Sequence, residues 1–142
     1  MKKKIVYVAM AGDIIHPGHI NILKIAKKKG FVVVGLLTDK AVRSYKGKTL
    51  MLYEDRKKVL MSIKYVDKVI AQKKLDYTDN LIKLKPNFVI HGKDWRKGVQ
   101  ASTRSKVIQT LRAWSGNLVE PNYTKKISST KIRKKYYENI KS

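Results

Sequence analysis

Two uninterrupted runs of apolar, largely β-branched residues stand near the start of this chain, Ile5–Met10 and Val32–Leu37, and neither alternates with polar residues. A strand with one wet face alternates, whereas a strand buried on both faces reads as a continuous run. Few architectures bury strands that way, and a parallel sheet with helices on each side is the main one. Shorter runs follow at Lys68–Ala71, Asn87–Ile90 and Asn117–Glu120.

The segments between these runs carry helical spacing. Ile22, Leu23 and Ala26 share a face in Gly18–Lys29, with Gly30 as the stop. Val59, Leu60 and Ile63 form a stripe in Glu54–Tyr65, and a helix over Tyr77–Lys85 ends before Pro86. Val107, Leu111 and Trp114 repeat in Ala101–Trp114, and Ile132, Tyr136 and Ile140 repeat near the end. Strands alternating with helices predict a Rossmann-like, doubly wound α/β fold: five parallel strands with helices on both faces. The 142 residues suit one domain, with no internal repeat and no linker. Ligands in such sheets bind beyond the carboxyl ends of the strands, so the segments just after the strands are where chemistry is expected.

Composition narrows the classes of function. Cysteine is absent, which excludes disulfides, thiolate metal sites and cysteine nucleophiles. No run approaches the length of a membrane span or a secretory signal, so a soluble, cytoplasmic protein with no membrane partner is expected. The net charge of +23 suggests a polyanionic partner. Lysine outnumbers arginine 27 to 6, however, and arginine is the usual reader of phosphate by bidentate contact. Much of the charge therefore reads as solvated helix faces.

After the first run comes Gly12-Asp13-Ile14-Ile15-His16-Pro17-Gly18-His19. Pro17 suits the first position of a helix, and Gly18 leaves the backbone open to a ligand. His16 and His19, three apart, face the same way at a helix N-terminus. Two imidazoles beside exposed N–H groups and the positive end of a helix dipole make an anion site. A structural turn with incidental histidines competes with this reading, as does a zinc site completed by His91. Near the end, Ser128-Ser129-Thr130 precedes a helix and is flanked by Lys125, Lys126 and Lys131. Hydroxyls there cap helices, but three beside three lysines also suit a second phosphate site. Lys46 and Arg56 are further candidates. Gly47-Lys48-Thr49 is not a P-loop, because Val42 stands where that motif needs glycine.

His16-Pro17-Gly18-His19 resembles the H-x-G-H signature of the nucleotidyltransferase superfamily, and Ile127-Ser128-Ser129-Thr130 resembles its I-S-S/T-T signature. Tyr53-Glu54-Asp55-Arg56, Tyr65-Val66-Asp67-Lys68-Val69-Ile70 and His91-Gly92-Lys93-Asp94-Trp95 resemble further segments of the cytidylyltransferases. A narrower likeness joins Asp13–His19, Gly35–Ala41, Ala101–Trp114 and Tyr123-Thr124-Lys125 to the cytidylyltransferases of phosphonate pathways. Those act on 2-aminoethylphosphonate and are often fused to a phosphoenolpyruvate mutase or a transaminase. Residues 1–142 are then a single nucleotidyltransferase domain.

The resemblance implies that CTP and a small anionic acceptor give a CMP-linked product and pyrophosphate. It implies catalytic roles for His16, His19, Lys46 and Arg56. It places the nucleotide against Met10, Ala11, Gly12, Asp13, Gly18, His91, Gly92, Asp94, Trp95, Tyr123, Ile127, Ser128, Ser129 and Thr130. Mg2+ would ride on the CTP phosphates, with Asp13 as an outer carboxylate. Relatives pair through the Tyr65–Ile70 segment, so a homodimer is expected. Glycerol 3-phosphate, phosphocholine or another polyol phosphate are alternative acceptors, and adenylyl transfer is an alternative reaction. A basic nucleic-acid-binding domain is the alternative of another class. Few stacking aromatics are apparent, and the charge near the phosphate segments argues for small phosphate-rich substrates over nucleic acid.

Overall fold

The computed structural model describes residues 3–122 and 129–141. In chain order the elements are β1 (Ile5–Met10), α1 (Pro17–Lys29), β2 (Phe31–Leu37), α2 (Asp39–Arg43), α3 (Tyr53–Met61), β3 (Lys68–Gln72), α4 (Thr78–Leu84), β4 (Phe88–Ile90), α5 (Ala101–Leu111), β5 (Asn117–Val119) and α6 (Ser129–Lys141). The five strands form one sheet in the order β3-β2-β1-β4-β5, and every pairing is parallel. This is the expected doubly wound architecture.

Why the first two runs lack polar alternation is plain in the packing. Successive side chains on a strand point to opposite faces. Val6 and Val8 of β1 enter one core with Leu23 and Ala26 of α1 and Leu60 of α3. Tyr7 and Ala9 enter the other, with Leu81 of α4 and Val107 and Leu111 of α5. Both faces are covered, so both need apolar residues. Gly35 of β2 lies beneath the Tyr7 phenol, and a Cβ there would overlap the ring. No other residue type fits at that position without moving a buried tyrosine.

Local chemistry sets the ends of the helices. Gly30 follows α1, as expected, and its N–H bonds the carbonyl of Ala26. Several features differ from the sequence reading. The helix expected over Glu54–Tyr65 stops at Met61, and its stripe is broken: Leu60 is buried but Val59 faces solvent. The short α2 was not expected, although Thr38 caps it by accepting the N–H of Ala41. In α6 the apolar stripe is not a core face, because Tyr136 and Ile140 are exposed. Among the described residues no helix is long and apolar enough to cross a membrane.

Candidate active site

β1 sends the chain to α1 on one face, while β4, its neighbour, leads to α5 on the other. Strand order reverses between them, and the crevice at their carboxyl ends is the expected ligand position. A cavity of about 590 Å³ lies there, a volume within the ordinary range for small-molecule sites. Met10, Ala11, Gly12 and Asp13 line it from the loop after β1, and His16, Gly18 and His19 from the start of α1. Lys46 enters from the loop after α2, His91, Gly92 and Asp94 from the turn after β4, and Thr130 from α6. Gly12 adopts φ +62°, a left-handed turn that swings the chain away from the end of β1.

The two histidines are held by a reciprocal cap. His16 is the N-cap of α1, and its Nδ1 accepts the N–H of Gly18 at 3.0 Å. His19 Nδ1 accepts the N–H of His16 at 3.3 Å. This is a capping box built from imidazoles. Because each Nδ1 is an acceptor, the proton of each neutral ring sits on Nε2. The rings lie 4.1 Å apart between centroids. Burial lowers the pKa of His16. Burial, then the charges of His16 and Lys46, brings His19 down to about 4. At neutral pH both rings are therefore uncharged N–H donors. Burial likewise lowers the Lys46 ammonium, with Asp94 opposing it.

A pH dependence follows. A histidine that is harder to protonate in the fold than in the unfolded chain stabilises fully above its unfolded pKa of 6.5, and that contribution fades as pH falls toward 4. Wild-type protein should lose about 3 kcal/mol of unfolding free energy through this group between about pH 7 and about pH 4. His19→Asn keeps an acceptor for the His16 N–H but has nothing to titrate, so its denaturation midpoint should fall less over that range. Equal slopes for the two proteins would contradict the assignment.

Four sequence expectations need correction. Arg56 does not reach the cavity; it is fully buried. Its Nε donates to the Met51 carbonyl at 3.0 Å, Nη1 to Ala11 and Leu37 at 2.5 and 2.8 Å, and Nη2 to Asp39 at 2.6 Å. The guanidinium thus ties together the ends of β1 and β2, the start of α2 and the approach to α3, with no face left for a ligand. Burial pushes the Asp39 carboxyl up, but Arg56 and neighbouring donors hold it below its ordinary value.

Asp13, expected near magnesium, is also engaged. Its oxygens accept the N–H groups of Leu50 and Met51 at 2.9 and 3.0 Å, and it is ion-paired with Arg133 of α6. Trp95, expected at the nucleotide, is only 1% exposed and forms a support for the site instead. Its ring stacks on His91 at 3.8 Å and 7°, and its Nε1 donates to Glu120 at 2.7 Å. Glu120 is pulled down to about 2, chiefly by its hydrogen bond from Arg104, against its burial and with Arg96 and Trp95 assisting. The zinc alternative fails on His91. Its Nδ1 lies 2.8 Å from the Gly92 carbonyl, and among the described residues no group of three metal-binding side chains converges.

Tyr123, Ile127 and Ser128, with Lys125 and Lys126, lie outside the described residues, and Ser129 opens α6. Sequence reasoning missed Tyr45, Gln72, Tyr77 and Arg133, which line the cavity. Only Tyr45 carried a signal, as the neighbour of Lys46. Gln72 and Tyr77 flank a loop after β3 that holds no motif.

The cytidylyltransferase-like family model matches residues 13–135. The chain belongs to that family. The family is one of nucleotidyltransferases. An FAD synthase from Archaeoglobus profundus is 34% identical over 134 residues, 92% of this chain and 84% of that one. An FAD synthase from Archaeoglobus fulgidus is 42% identical over 83 residues, and the match spans 58% of this chain and 60% of that relative. In structure, a lipopolysaccharide core biosynthesis protein from Thermoplasma volcanium aligns with a TM-score of 0.73 at 26% identity, covering 87% of this chain and 99% of that one. Pantothenate synthetase from Thermus thermophilus aligns with a TM-score of 0.66 at 14% identity, covering 91% of this chain and 61% of that one, which shows the shared fold. Family membership thus reaches nucleotidyl transfer, while the phosphonate likeness rests on the sequence segments alone.

Proposed function

We propose that this nucleotidyltransferase is a CTP-dependent cytidylyltransferase that moves CMP onto a small phosphonate of the 2-aminoethylphosphonate kind. The observation that supports nucleotidyl transfer is the pair of neutral Nε2–H donors, His16 and His19, in one cavity with Lys46, and the choice of CTP and a phosphonate rests on the sequence likeness. A phosphonate oxygen attacks the α-phosphorus of CTP. The new P–O–P bond forms as the bond from the α-phosphorus to its bridging oxygen breaks, and pyrophosphate leaves with that electron pair. Negative charge gathers on the α-phosphoryl and bridging oxygens. Two preorganised ring donors and the positive end of α1 are suited to meet it.

The other roles belong to the same proposal. Lys46 anchors the acceptor's anionic group. Met10, Ala11, Gly12 and Gly18 offer backbone for close approach, and His91 and Gly92 border the base. The resemblance gives Ser128, Ser129 and Thr130 the β- and γ-phosphates and counts Tyr123 and Ile127 among the nucleotide-binding residues. Among the described residues no group of three metal-binding side chains converges, and both Asp13 oxygens are already engaged. Magnesium belongs here as the counter-ion of the triphosphate substrate. Self-association through Tyr65–Ile70 is part of the same reading, and β3 is the sheet edge there.

The identity to FAD synthases favours a second reading, in which AMP passes to FMN. FAD is AMP joined to FMN through the same kind of P–O–P bond, so the chemistry is shared and the ligands differ. One screen separates the two. The protein is incubated with CTP or ATP, each paired with 2-aminoethylphosphonate, glycerol 3-phosphate, phosphocholine or FMN, and pyrophosphate is followed. CTP with 2-aminoethylphosphonate should be the fastest pair. Turnover confined to ATP and FMN would replace this reading with the second.

A further inference from the structure

The charge inside the cavity is uneven in a way that phosphate binding does not explain. Among the described residues, Asp13 and Asp94 are the acidic side chains lining it. Asp13 is neutralised by Arg133. Among the described residues, no lysine or arginine pairs with Asp94. Its nearest basic neighbour, His91 Nδ1, is 3.8 Å away, but that nitrogen holds its proton against the Gly92 carbonyl in an uncharged ring. Lys46 forms no ion pair with it among the described residues, although the carboxylate opposes the lowering of the Lys46 ammonium by burial. A bare carboxylate repels a triphosphate and an anionic acceptor alike. In such a cavity it suits a positively charged or hydrogen-bond-donating part of a substrate.

The surroundings of Asp94 suit a cation. It sits in the turn after β4, with its side chain 62% exposed, and the aromatic rings of His91, Tyr77 and Tyr45 line the same cavity. Aromatic faces beside a carboxylate attract ammonium groups. Its carboxylate also acts on Lys46, Tyr77 and His91, which come from three different loops. The acceptor's two ends would then face opposite charges: the phosphonate toward Lys46 and the amine toward Asp94.

We propose that Asp94 is a specificity-determining residue that reads the ammonium group of a zwitterionic acceptor, rather than part of the nucleotide site. This inference rests on the phosphonate reading above. The test compares 2-aminoethylphosphonate with 2-hydroxyethylphosphonate, which differ at that one group, each with saturating CTP. Wild-type protein should prefer the amine in kcat/KM. In Asp94→Asn that preference should fall by about 10- to 100-fold, the usual size of a lost charged hydrogen bond, through acceptor KM. Asp94→Glu should recover part of it.

An unchanged preference in Asp94→Asn, with a raised KM for CTP, would overturn the inference and return Asp94 to the nucleotide. An altered magnesium requirement with unchanged preference would also overturn it. A wild-type protein that prefers the hydroxyl acceptor would defeat the role of Asp94 and leave the phosphonate reading standing. No turnover of either acceptor by wild-type protein would defeat both.

Discussion

Arg56→Met should lose about 3–5 kcal/mol of stability, because three main-chain carbonyls each lose a charge-assisted hydrogen bond, worth about 1–3 kcal/mol apiece, and Asp39 loses its partner. Domains of this size are stable by only about 5–15 kcal/mol, so the variant should be close to unfolding at room temperature. The cause is specific. Removing the guanidinium leaves the carbonyls of Ala11, Leu37 and Met51 without that donor and leaves Asp39 without its countercharge. Arg56→Lys should recover only part of the loss, because one ammonium cannot copy a planar fork that reaches four acceptors. Urea denaturation followed by circular dichroism measures both. A wild-type midpoint for Arg56→Met, with weakened phosphate binding, would instead make Arg56 a ligand-binding residue.

His16→Ala should lower kcat by about 10²–10³-fold, the usual effect of removing one preorganised donor from a developing anion. This substitution also removes the N-cap of α1, which alone costs about 1 kcal/mol of stability. His16→Asn separates the two effects. Asparagine is a good N-cap, and its side-chain oxygen can accept the Gly18 N–H as Nδ1 does. It has nothing in the place of Nε2–H. Stability should therefore return in His16→Asn while turnover stays low. Wild-type turnover in either variant would remove His16 from the chemistry.

The fold was readable because its strands are covered on both sides. Ile5–Met10 and Val32–Leu37 have no polar face to confuse the reading, and the glycine after α1 marks its end. The histidine site was readable for a related reason: His16, Pro17, Gly18 and His19 are adjacent in sequence, and one helix start brings them together. Arg56 was misread because an arginine that binds backbone carbonyls looks the same in sequence as one that binds phosphate. Only its burial separates the two. Asp13 and Trp95 were misplaced for the same kind of reason. Their partners, Arg133 and Glu120, are 120 and 25 positions away and carry no motif. Tyr45 reaches the cavity from the loop after α2, and Gln72 and Tyr77 from the two ends of the loop after β3, so no local pattern joins the three.

Phosphorus NMR of the wild-type protein with CTP and 2-aminoethylphosphonate tests the proposed transfer of CMP onto a phosphonate most directly. The CTP signals should decay while pyrophosphate and a coupled pair from a phosphate–phosphonate anhydride grow in equal amounts. Neither product should appear when one substrate is left out. Conversion of CTP to CDP and orthophosphate, or unchanged CTP in the presence of folded protein, would contradict it.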